Sequence, residues 1–300
     1  MARQLAVLCF VLAAVIAEAK VKVVATVTDL GALAREAGGE LVEVSTLARS
    51  TQDPHFVDAR HSLVLGLAQA DLLLHLGMDM ETGWLPTLLT SSRNGRVQPG
   101  APGNLNCGTL VQPLEVPLEK IERAMGDIHP GGNPHYTKDP RNARLLVRGI
   151  AARLAVVDPA HAADYQRNVE RFEAALGPKL AAWEAALAPF KGAPIITFHR
   201  SWSYLSAWAG FEQVAFMEPK PGLPPSAQHL AQVLVVARTR KVPLILQEQW
   251  YSAQGSELVA EKSGAKLVRV PGLVPEEQGY LAYMDGVVSA VVGALQAQKR

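Results

Sequence analysis

Three histidines occupy positions where the backbone is stiff or where an apolar strand ends. His55 follows a proline in the stretch DPHF, His135 follows a proline in GNPHY, and His199 ends the apolar run IITFH. Proline fixes its own φ torsion and restricts the residue before it, and open α/β sheets bind ligands beyond the carboxyl ends of their strands. Because neutral imidazole is the commonest biological metal ligand and three nitrogen donors suit zinc, these positions favour a metal site.

The spacing of the three histidines does not show whether they meet in space. They lie 80 and 64 residues apart, so each is also compatible with a hydrogen-bonded position in its own loop. A neighbouring carboxylate would offset the charge of a cation and orient an imidazole through its other nitrogen. Asp53 and Asp139 are the local candidates for that function. The residues alone leave both interpretations open, a shared metal site and separate loop histidines.

Other potential ligands have simpler interpretations. His75 lies inside an apolar strand, which predicts packing in the core or at the strand end. His161 and His229 lie in helical stretches with polar neighbours, which predicts solvated faces. Cys107 stands alone in the mature chain, so no internal disulfide is expected and a buried or loop thiol is favoured.

The N-terminal segment predicts export. Arg3 precedes an apolar run from Leu5 to Ala17, and the run ends in an A-x-A cleavage pattern. The run is too short for a membrane-spanning helix. We expect a cleaved signal peptide over residues 1–19, with Lys20 as the first residue of a periplasmic or otherwise extracytoplasmic protein. An uncleaved anchor, or lipidation at Cys9, is the alternative.

Composition excludes several classes of function. The chain has 300 residues, of which 49% are hydrophobic and 19% charged, with a formal net charge of +1. These values are typical of a globular protein and disfavour a nucleic-acid partner, which needs a basic surface. The common enzyme motifs H-E-x-x-H, G-x-S-x-G, the P-loop and G-x-G-x-x-G are absent from the sequence.

Strand and helix patterns alternate along the mature chain. The start, VKVVATVTDLGALAREAGG, predicts a strand and then a helix that ends at Gly38-Gly39, and SLVLGLAQADLLLHLG predicts a helix running into a buried strand. Further strands are predicted in LVEVSTLA, GAPIITFH, KVPLILQE and AKLVRV. Residues 93–108 are rich in Gly, Pro and Asn and predict a surface loop. Apolar strands that alternate with helices indicate parallel sheets in an α/β protein.

One long helix is predicted between the two halves. Residues 158–192 are rich in Ala, Leu and Glu, with apolar residues at helical spacing and Pro159 at a favourable first position. About 30 helical residues would span roughly 45 Å, and Gly177-Pro178 should kink or interrupt the helix. We expect an N-terminal α/β lobe over residues 20–157, a connecting helix over 158–191 and a C-terminal α/β lobe over 192–300.

At these residues the chain resembles the zinc- and manganese-binding receptors of bacterial ABC importers, the class whose two lobes are joined by one long helix. The resemblance covers nearly the whole mature chain. It is carried by five segments in family order, DPHFVDARHSLVLGLAQADLLLHLG, GNPHYTKDP, TFHRSWSYLSAWAGF, MEPKPGLPPSAQHLAQV and QEQWYSAQGSELVAEKSGAKLV.

The resemblance implies a monomeric receptor that captures Zn²⁺ in the cleft between two lobes and delivers it to the membrane permease of an ABC importer. It implies that His55, His135 and His199 bind the metal. In the family a histidine at the third position accompanies zinc, whereas a carboxylate there accompanies manganese or iron. We therefore expect Zn²⁺, with Mn²⁺ the less favoured cargo, in agreement with the preference of manganese for oxygen ligands.

The chain departs from the family where many members carry an aspartate as the fourth ligand. Pro271 falls at about that position. Glu248, at the end of PLILQE, matches a glutamate common in the family and is the best candidate for the fourth ligand, with a structural carboxylate between the lobes as the alternative interpretation. Glu276 or Glu277 is the second choice and water the third. His61 and His129 are interpreted as residues on the rim of the cleft, with loose assistance in metal capture as the alternative.

Two other classes of function stay open at this point. A zinc-dependent hydrolase could use three histidines and an open fourth position, because zinc-bound water becomes a nucleophile near neutral pH. A metal-independent adhesin or structural protein is the third candidate. A receptor is favoured because no general base is evident beside a histidine.

Overall fold

The computed structural model describes residues 19–119, 126 and 129–298. The predicted signal peptide, residues 1–19, lies outside the described residues except for its last position. Within the described chain, two parallel sheets flanked by helices confirm the expected α/β class.

The N-terminal sheet contains four parallel strands in the order β2-β1-β3-β4. Strand β1 pairs with β2 on one side and with β3 on the other, so the switch in strand order lies between β1 and β3. Three of the strands are apolar on the faces that helices cover, whereas β4 is a short edge strand. The strands are β1 (Val21–Ala25), β2 (Val42–Thr46), β3 (Leu72–His75) and β4 (Asn104–Asn106).

Four helices accompany this sheet, and their ends follow from local sequence. The first runs from the end of β1 to a glycine pair, as predicted, and Gly39 adopts a φ of 57° that favours glycine. The fourth begins at Pro140, where the missing N–H of proline costs nothing. The helices are α1 (Thr28–Gly38), α2 (His61–Gln69), α3 (Leu85–Ser92) and α4 (Pro140–Val157).

The C-terminal sheet repeats the same strand order, β6-β5-β7-β8, again with parallel pairing throughout. Ser226 acts as a helix N-cap in this half, since its side chain accepts a hydrogen bond from the His229 amide. The strands are β5 (Pro194–Thr197), β6 (Glu212–Phe216), β7 (Leu244–Glu248) and β8 (Lys266–Val270). The helices of this half are α6 (Ser203–Ala209), α7 (Ala227–Thr239), α8 (Gln254–Ser263) and α9 (Tyr280–Ala297).

Helix α5 (Ala162–Leu187) lies between the lobes. Its 26 residues span roughly 39 Å at 1.5 Å per residue. The expected interruption at Pro178 is wrong, because the helix runs through this residue. Proline removes only one helical hydrogen bond, and buried side chains on both sides of it, from Phe172 to Trp183, hold the helix against its neighbours.

Helix α9 is the one helix among the described residues that is long and apolar enough to cross a membrane by length and composition. Its apolar face packs against α5 and β8, and seven of its residues are buried in the core. Its single acidic residue, Asp285, accepts hydrogen bonds from Lys179 and Trp183 of α5. These contacts are those of a core helix.

Two strands escape prediction from sequence. Strand β4 lies within residues 93–108, which were expected to form only a surface loop. Strand β6 is exposed at its first residue and half-buried in the rest. Both are edge strands in their sheets, so neither shows the apolar run of a central strand.

The buried Asp29 carboxylate links the two halves of the chain. Asp29 of α1 accepts hydrogen bonds from the Lys138 ammonium (2.7 Å) and the Thr137 hydroxyl (2.6 Å). Its other oxygen accepts from the backbone N–H of Val274 in the C-terminal half (2.6 Å). Such a fully buried and fully paired carboxylate fixes the geometry between its neighbours, so the lobes meet at a defined joint.

Candidate metal centre

Three imidazole rings from three different loops converge in the cleft. One nitrogen from each of His55, His135 and His199 lies within 4.8 Å of the other two, and within the described chain this is the one group of three or more potential ligands so arranged. The ring centroids are 5.2–5.4 Å apart. His135 and His199 are buried, with 8% and 4% of their surface exposed.

His55 is positioned by the loop that follows β2. The Trp84 indole donates to the carbonyl of Pro54 (3.0 Å), which fixes the backbone just before the histidine. The Asp53 carboxylate lies 2.7 Å from His55 Nδ1 and also accepts from the His55 amide (3.0 Å). With Nδ1 engaged in this way, the Nε2 lone pair is directed to the cleft.

The Asp53 carboxylate is suited to this orienting position. Burial alone would raise the pKa of Asp53, but the hydrogen bonds and the charge of His55 outweigh burial and hold the pKa below its ordinary value. Asp53 is therefore ionised at neutral pH. The expectation that Asp53 orients an imidazole agrees with this geometry.

His135 is positioned through its backbone. Its amide donates to the Asn133 side chain (2.9 Å), and Asn133 in turn donates to the carbonyl of Arg200 (2.9 Å) across the lobes. The Tyr204 hydroxyl donates to the Asn133 carbonyl (2.8 Å). The His135 loop is thus held by the C-terminal half.

The His135 side chain is buried, and one of its ring nitrogens is left without a hydrogen bond. Its Nε2 atom has no hydrogen-bond partner among the described residues. Burial, together with the neighbouring His199 and His55, lowers the pKa of His135 well below its ordinary value. A buried, neutral imidazole with an unpaired nitrogen is costly unless that nitrogen has a ligand to bind.

Asp139 does not orient a histidine, so this part of the expectation is wrong. Its carboxylate caps α4 by accepting from the Arg141 amide (2.9 Å) and pairs with the Arg141 guanidinium (2.6 Å). Four residues after His135, the chain has already turned into the helix, and the carboxylate serves that helix start.

His199 lies two residues beyond the end of β5 and is oriented by a carboxylate that the sequence did not suggest. Glu218 Oε2 lies 2.6 Å from His199 Nδ1. Burial would lower the pKa of His199, but the hydrogen bond and charge of Glu218, aided by Glu248, raise it above the ordinary value. Glu218 follows strand β6, which was not predicted. Recognition of β6 would have placed Glu218 at the carboxyl end of a strand, where ligand-binding residues are expected.

Glu248 ends β7 and is fully buried. Neither carboxylate oxygen has a hydrogen-bond partner among the residues that the structure describes. Burial raises the pKa of Glu248, and the positive charge of His199 and the proximity of the Ser201 hydroxyl only partly oppose that effect. Glu248 lies near His199, but its carboxylate oxygens do not join the group of ligand atoms that lie within 4.8 Å of one another.

Of the other suggested fourth ligands, Glu276 is engaged elsewhere and Glu277 is exposed. Glu276 accepts hydrogen bonds from the amide (2.8 Å) and the hydroxyl of Ser50, which ties the two lobes at the cleft edge. Pro271, at the position of the expected aspartate, presents its carbonyl to the Tyr283 hydroxyl (3.0 Å).

Of the two histidines assigned to the rim, one lies beside the cluster. His129 Nε2 is 3.3 Å from His55 Nε2, and the two rings stack with centroids 5.3 Å apart. Burial and the neighbouring His55 and His199 lower the pKa of His129 to about 3. His61 is exposed at the start of α2, as a rim residue would be.

The remaining residues singled out above are structural. His75 ends β3 and pairs with Asn104 (3.0 Å), and burial raises the pKa of the Cys107 thiol. His161 and His229 are half-buried rather than solvated. Their rings pair with the Asp158 carboxylate (2.7 Å) and the Phe216 carbonyl (3.0 Å).

The arrangement is suited to binding a divalent cation. Three nitrogen donors face one another, two of them oriented by carboxylates, and a further unpaired carboxylate lies on the buried side. Two α/β lobes that are joined by one long helix and hold such a cluster in their cleft define a class of protein, the metal-binding solute receptors.

The comparisons with known proteins agree with this class. The family described as "ZnuA: Zinc-uptake complex component A periplasmic" matches residues 23–294. The chain belongs to this family. Its members are periplasmic receptors for ABC-type metal uptake and not enzymes, so the expectation of a receptor is confirmed and the hydrolase alternative is not supported.

Individual relatives are distant. The chain is 26% identical to the iron-binding protein YfeA of Yersinia pestis over 257 residues, 82% of this chain and 75% of the relative. It is 26% identical to the high-affinity zinc uptake system protein ZnuA of Paracoccus denitrificans, over 72% of this chain and 73% of the relative.

A solved crystal structure of ZnuA superposes with a TM-score of 0.78, at 23% sequence identity, over 92% of this chain and 99% of that one. At this level of identity the likeness concerns the fold. It confirms the two-lobed arrangement that the sequence resemblance implied.

Proposed function

We propose that this protein is an extracytoplasmic zinc receptor, which binds Zn²⁺ through His55, His135 and His199 and delivers it to the permease of an ABC importer. The observation that carries the proposal is the convergence of three ring nitrogens within 4.8 Å of one another. Zinc is bound by imidazole nitrogens at about 2.0–2.1 Å, so small side-chain movements from the described positions would complete a zinc site.

The donor set favours zinc over manganese. Three imidazoles suit zinc, whereas carboxylate, carbonyl and water oxygens suit manganese. The relatives bear names for different cargoes, zinc for ZnuA of P. denitrificans and iron for YfeA. The third histidine, His199, occupies the position that the family resemblance associates with zinc.

We propose Glu248 as the fourth ligand, reached when the cleft closes on the ion. Its carboxylate is buried, unpaired and electrostatically coupled to His199. A dication would supply the charge that this carboxylate lacks in its present surroundings, and the carboxylate would offset the charge of the ion.

The direct test is zinc titration of the purified mature protein in competition with a chelator of known affinity. The His135→Ala and His199→Ala variants should each lose at least about a hundredfold in affinity, since a direct ligand and its place in the coordination sphere are lost. The matched control is His229→Ala, which removes a half-buried histidine that pairs with the Phe216 carbonyl and is not one of the three clustered histidines. Wild-type affinity in the His199→Ala variant would disprove the proposal.

The choice of cargo is tested by adding Mn²⁺ and Fe²⁺ in place of Zn²⁺. Because zinc binding stabilises the native state by mass action, the melting temperature should rise with Zn²⁺ and respond much less to equal concentrations of Mn²⁺. A larger rise with Mn²⁺ would exclude a zinc-type site.

Delivery and location complete the proposal. We propose that the mature chain begins at Lys20, is monomeric and releases its ion through loss of one ligand or movement of a loop, because the long helix and the buried Asp29 joint oppose a wide hinge motion. A strain that lacks the receptor should need extra zinc for growth. The wild-type gene should restore growth, and a gene without the three histidines should not.

A further inference from the structure

Two cavities approach the histidine cluster from different sides, and His129 belongs to both. The larger cavity, of about 560 Å³, is lined by His55, His129 and the carboxylates of Asp58 and Asp79. The smaller cavity, of about 230 Å³, is lined by His129, His135 and His199. Thus His129 separates the space that contains His55 from the space that contains the other two ligands.

The distance between the His129 and His55 nitrogens is that of a hydrogen bond between the two rings, and it equally fits two ligands on one metal ion. Their Nε2 atoms are 3.3 Å apart. Two nitrogens bound tetrahedrally at 2.0–2.1 Å from zinc are about 3.3 Å apart. His55 Nδ1 is engaged by Asp53, so Nε2 is the atom left for a metal.

His129 lies outside the group formed by the three proposed ligands. The nitrogens of His55, His135 and His199 are mutually close, and His129 is not a fourth member of that set. Glu248 is fully buried and lines neither cavity. The order from the larger cavity inward is therefore His129 and His55, then His135 and His199, then Glu248.

We propose that His129 and His55 form a capture site, a two-nitrogen site that receives Zn²⁺ from the larger cavity and passes it to the three-histidine site. This inference rests on the proposed zinc function. His55 is common to both sites, so the ion exchanges His129 for the inner ligands without leaving His55. Asp79 places negative charge along the approach, which raises the local concentration of cations, whereas the charge of Asp58 is offset by its ion pair with Arg60 (3.0 Å).

A residue that binds the ion only in transit changes rates and leaves the equilibrium nearly unchanged. It lowers the barrier for entry and for exit alike, because both directions pass through the same intermediate. Removal of His129 should therefore slow association and dissociation together. Loss of a ligand of the final site would instead raise the dissociation rate and weaken affinity.

The experiment compares His129→Gln with His61→Gln. His61 is an exposed histidine at the start of α2, so its variant carries the same chemical change outside both cavities. Zinc association is followed by stopped-flow fluorescence and dissociation by transfer to an excess of chelator. For His129→Gln we expect both rates to fall about tenfold while Kd changes less than about threefold, and for His61→Gln we expect no change.

Each other outcome overturns the inference. An unchanged association rate in His129→Gln would show that His129 takes no part in capture. A Kd weakened tenfold or more at an unchanged association rate would make His129 a ligand of the final site. If the wild-type protein binds no zinc, the proposed function itself fails. The apo melting temperatures of both variants should match wild type, which separates these results from misfolding.

Discussion

The two lobes share one strand order, but they differ in the side chains that lie at the point where the strand order switches. In each sheet the order switches next to the first strand, between β1 and β3 in one lobe and between β5 and β7 in the other. Each lobe buries a glutamate there. Glu81 accepts hydrogen bonds from Thr26 (2.7 Å), Leu76 (2.7 Å) and Gly77 (3.1 Å), whereas Glu248 has no such partner among the described residues.

This difference shows how the switch point of one strand order can be filled by internal hydrogen bonds or left available for a ligand. Thr26 follows β1, and Leu76 follows β3, so the Glu81 carboxylate ties the two strand ends together and fills the crevice. In the C-terminal lobe the equivalent strand ends carry His199 and Glu248 instead. Ligands bind in α/β sheets at this switch point; here one lobe has filled it with structure and the other leaves polar groups unpaired.

The largest effect is expected from Glu81→Gln, and it should fall on stability alone. The amide NH₂ group would face a backbone N–H that now donates to the carboxylate, and one buried donor would lose its partner. We expect a loss of about 1–3 kcal/mol in the free energy of unfolding, measured by urea denaturation of the apo protein. Zinc affinity of the folded protein should stay within a few-fold of wild type.

Glu248→Gln, the matched substitution in the other lobe, should give the opposite pattern. Burial raises the pKa of Glu248 as it does that of Glu81, but Glu81 is held by three hydrogen bonds and Glu248 by none among the described residues. Loss of the Glu248 charge should therefore leave apo stability unchanged or higher. Zinc affinity should fall about 10–100-fold. If Glu248→Gln unfolded the apo protein and kept its zinc affinity, the contrast between the lobes would be lost.

Much of this contrast was outside the reach of the sequence. The central strands are apolar runs such as LLLH and PLILQE, and burial on both faces makes them recognisable. Strands β4 and β6 are short or half-exposed edges, so their residues carry little pattern. That Glu81 is satisfied and Glu248 is not depends on backbone groups meeting in three dimensions, which no spacing in the chain encodes.

The histidines show the same limit. Their prolines and strand-end positions could be recognised, and the family resemblance connected them. Asp53 was suggested because it is two residues from His55, but Glu218 is 19 residues from His199 and was missed. His129 was assigned to the rim because its contact with His55, 74 residues away, cannot be recognised from the sequence.

The next effect concerns pH and follows from the C-terminal lobe. The pKa of His199 lies above its ordinary value, so its pairing with Glu218 stabilises the apo fold fully below about pH 6.5 and this contribution is lost as pH rises through the raised pKa. Zinc must displace that proton. When the pH is lowered, zinc affinity should therefore begin to fall before the pH reaches 6.5. Once His199 is protonated, the affinity should fall by about tenfold per pH unit.

The control for this pH dependence is Glu218→Gln. Without the Glu218 charge the pKa of His199 should drop, because burial then dominates, and the onset of zinc loss should move to lower pH. His135, whose pKa lies well below the ordinary value, stays neutral throughout this range. Equal zinc affinity at pH 5 and pH 7.5 would argue against histidine ligation altogether.

The smallest effect is expected on the N-terminal side, from Asp53→Asn. Asparagine can still accept one hydrogen bond, and the His55 loop keeps its anchor between Trp84 and Pro54, so the loss of zinc affinity should be about tenfold, at the low end for residues that orient a ligand.

Asp53 also accepts from the Tyr251 hydroxyl (3.0 Å) across the cleft. Tyr251→Phe removes that link between lobes and leaves the bond to His55. If orientation of the ring is what matters, chelator competition should show a smaller loss for Tyr251→Phe than for Asp53→Asn. Equal losses would mean that Asp53 acts mainly as a latch between the lobes.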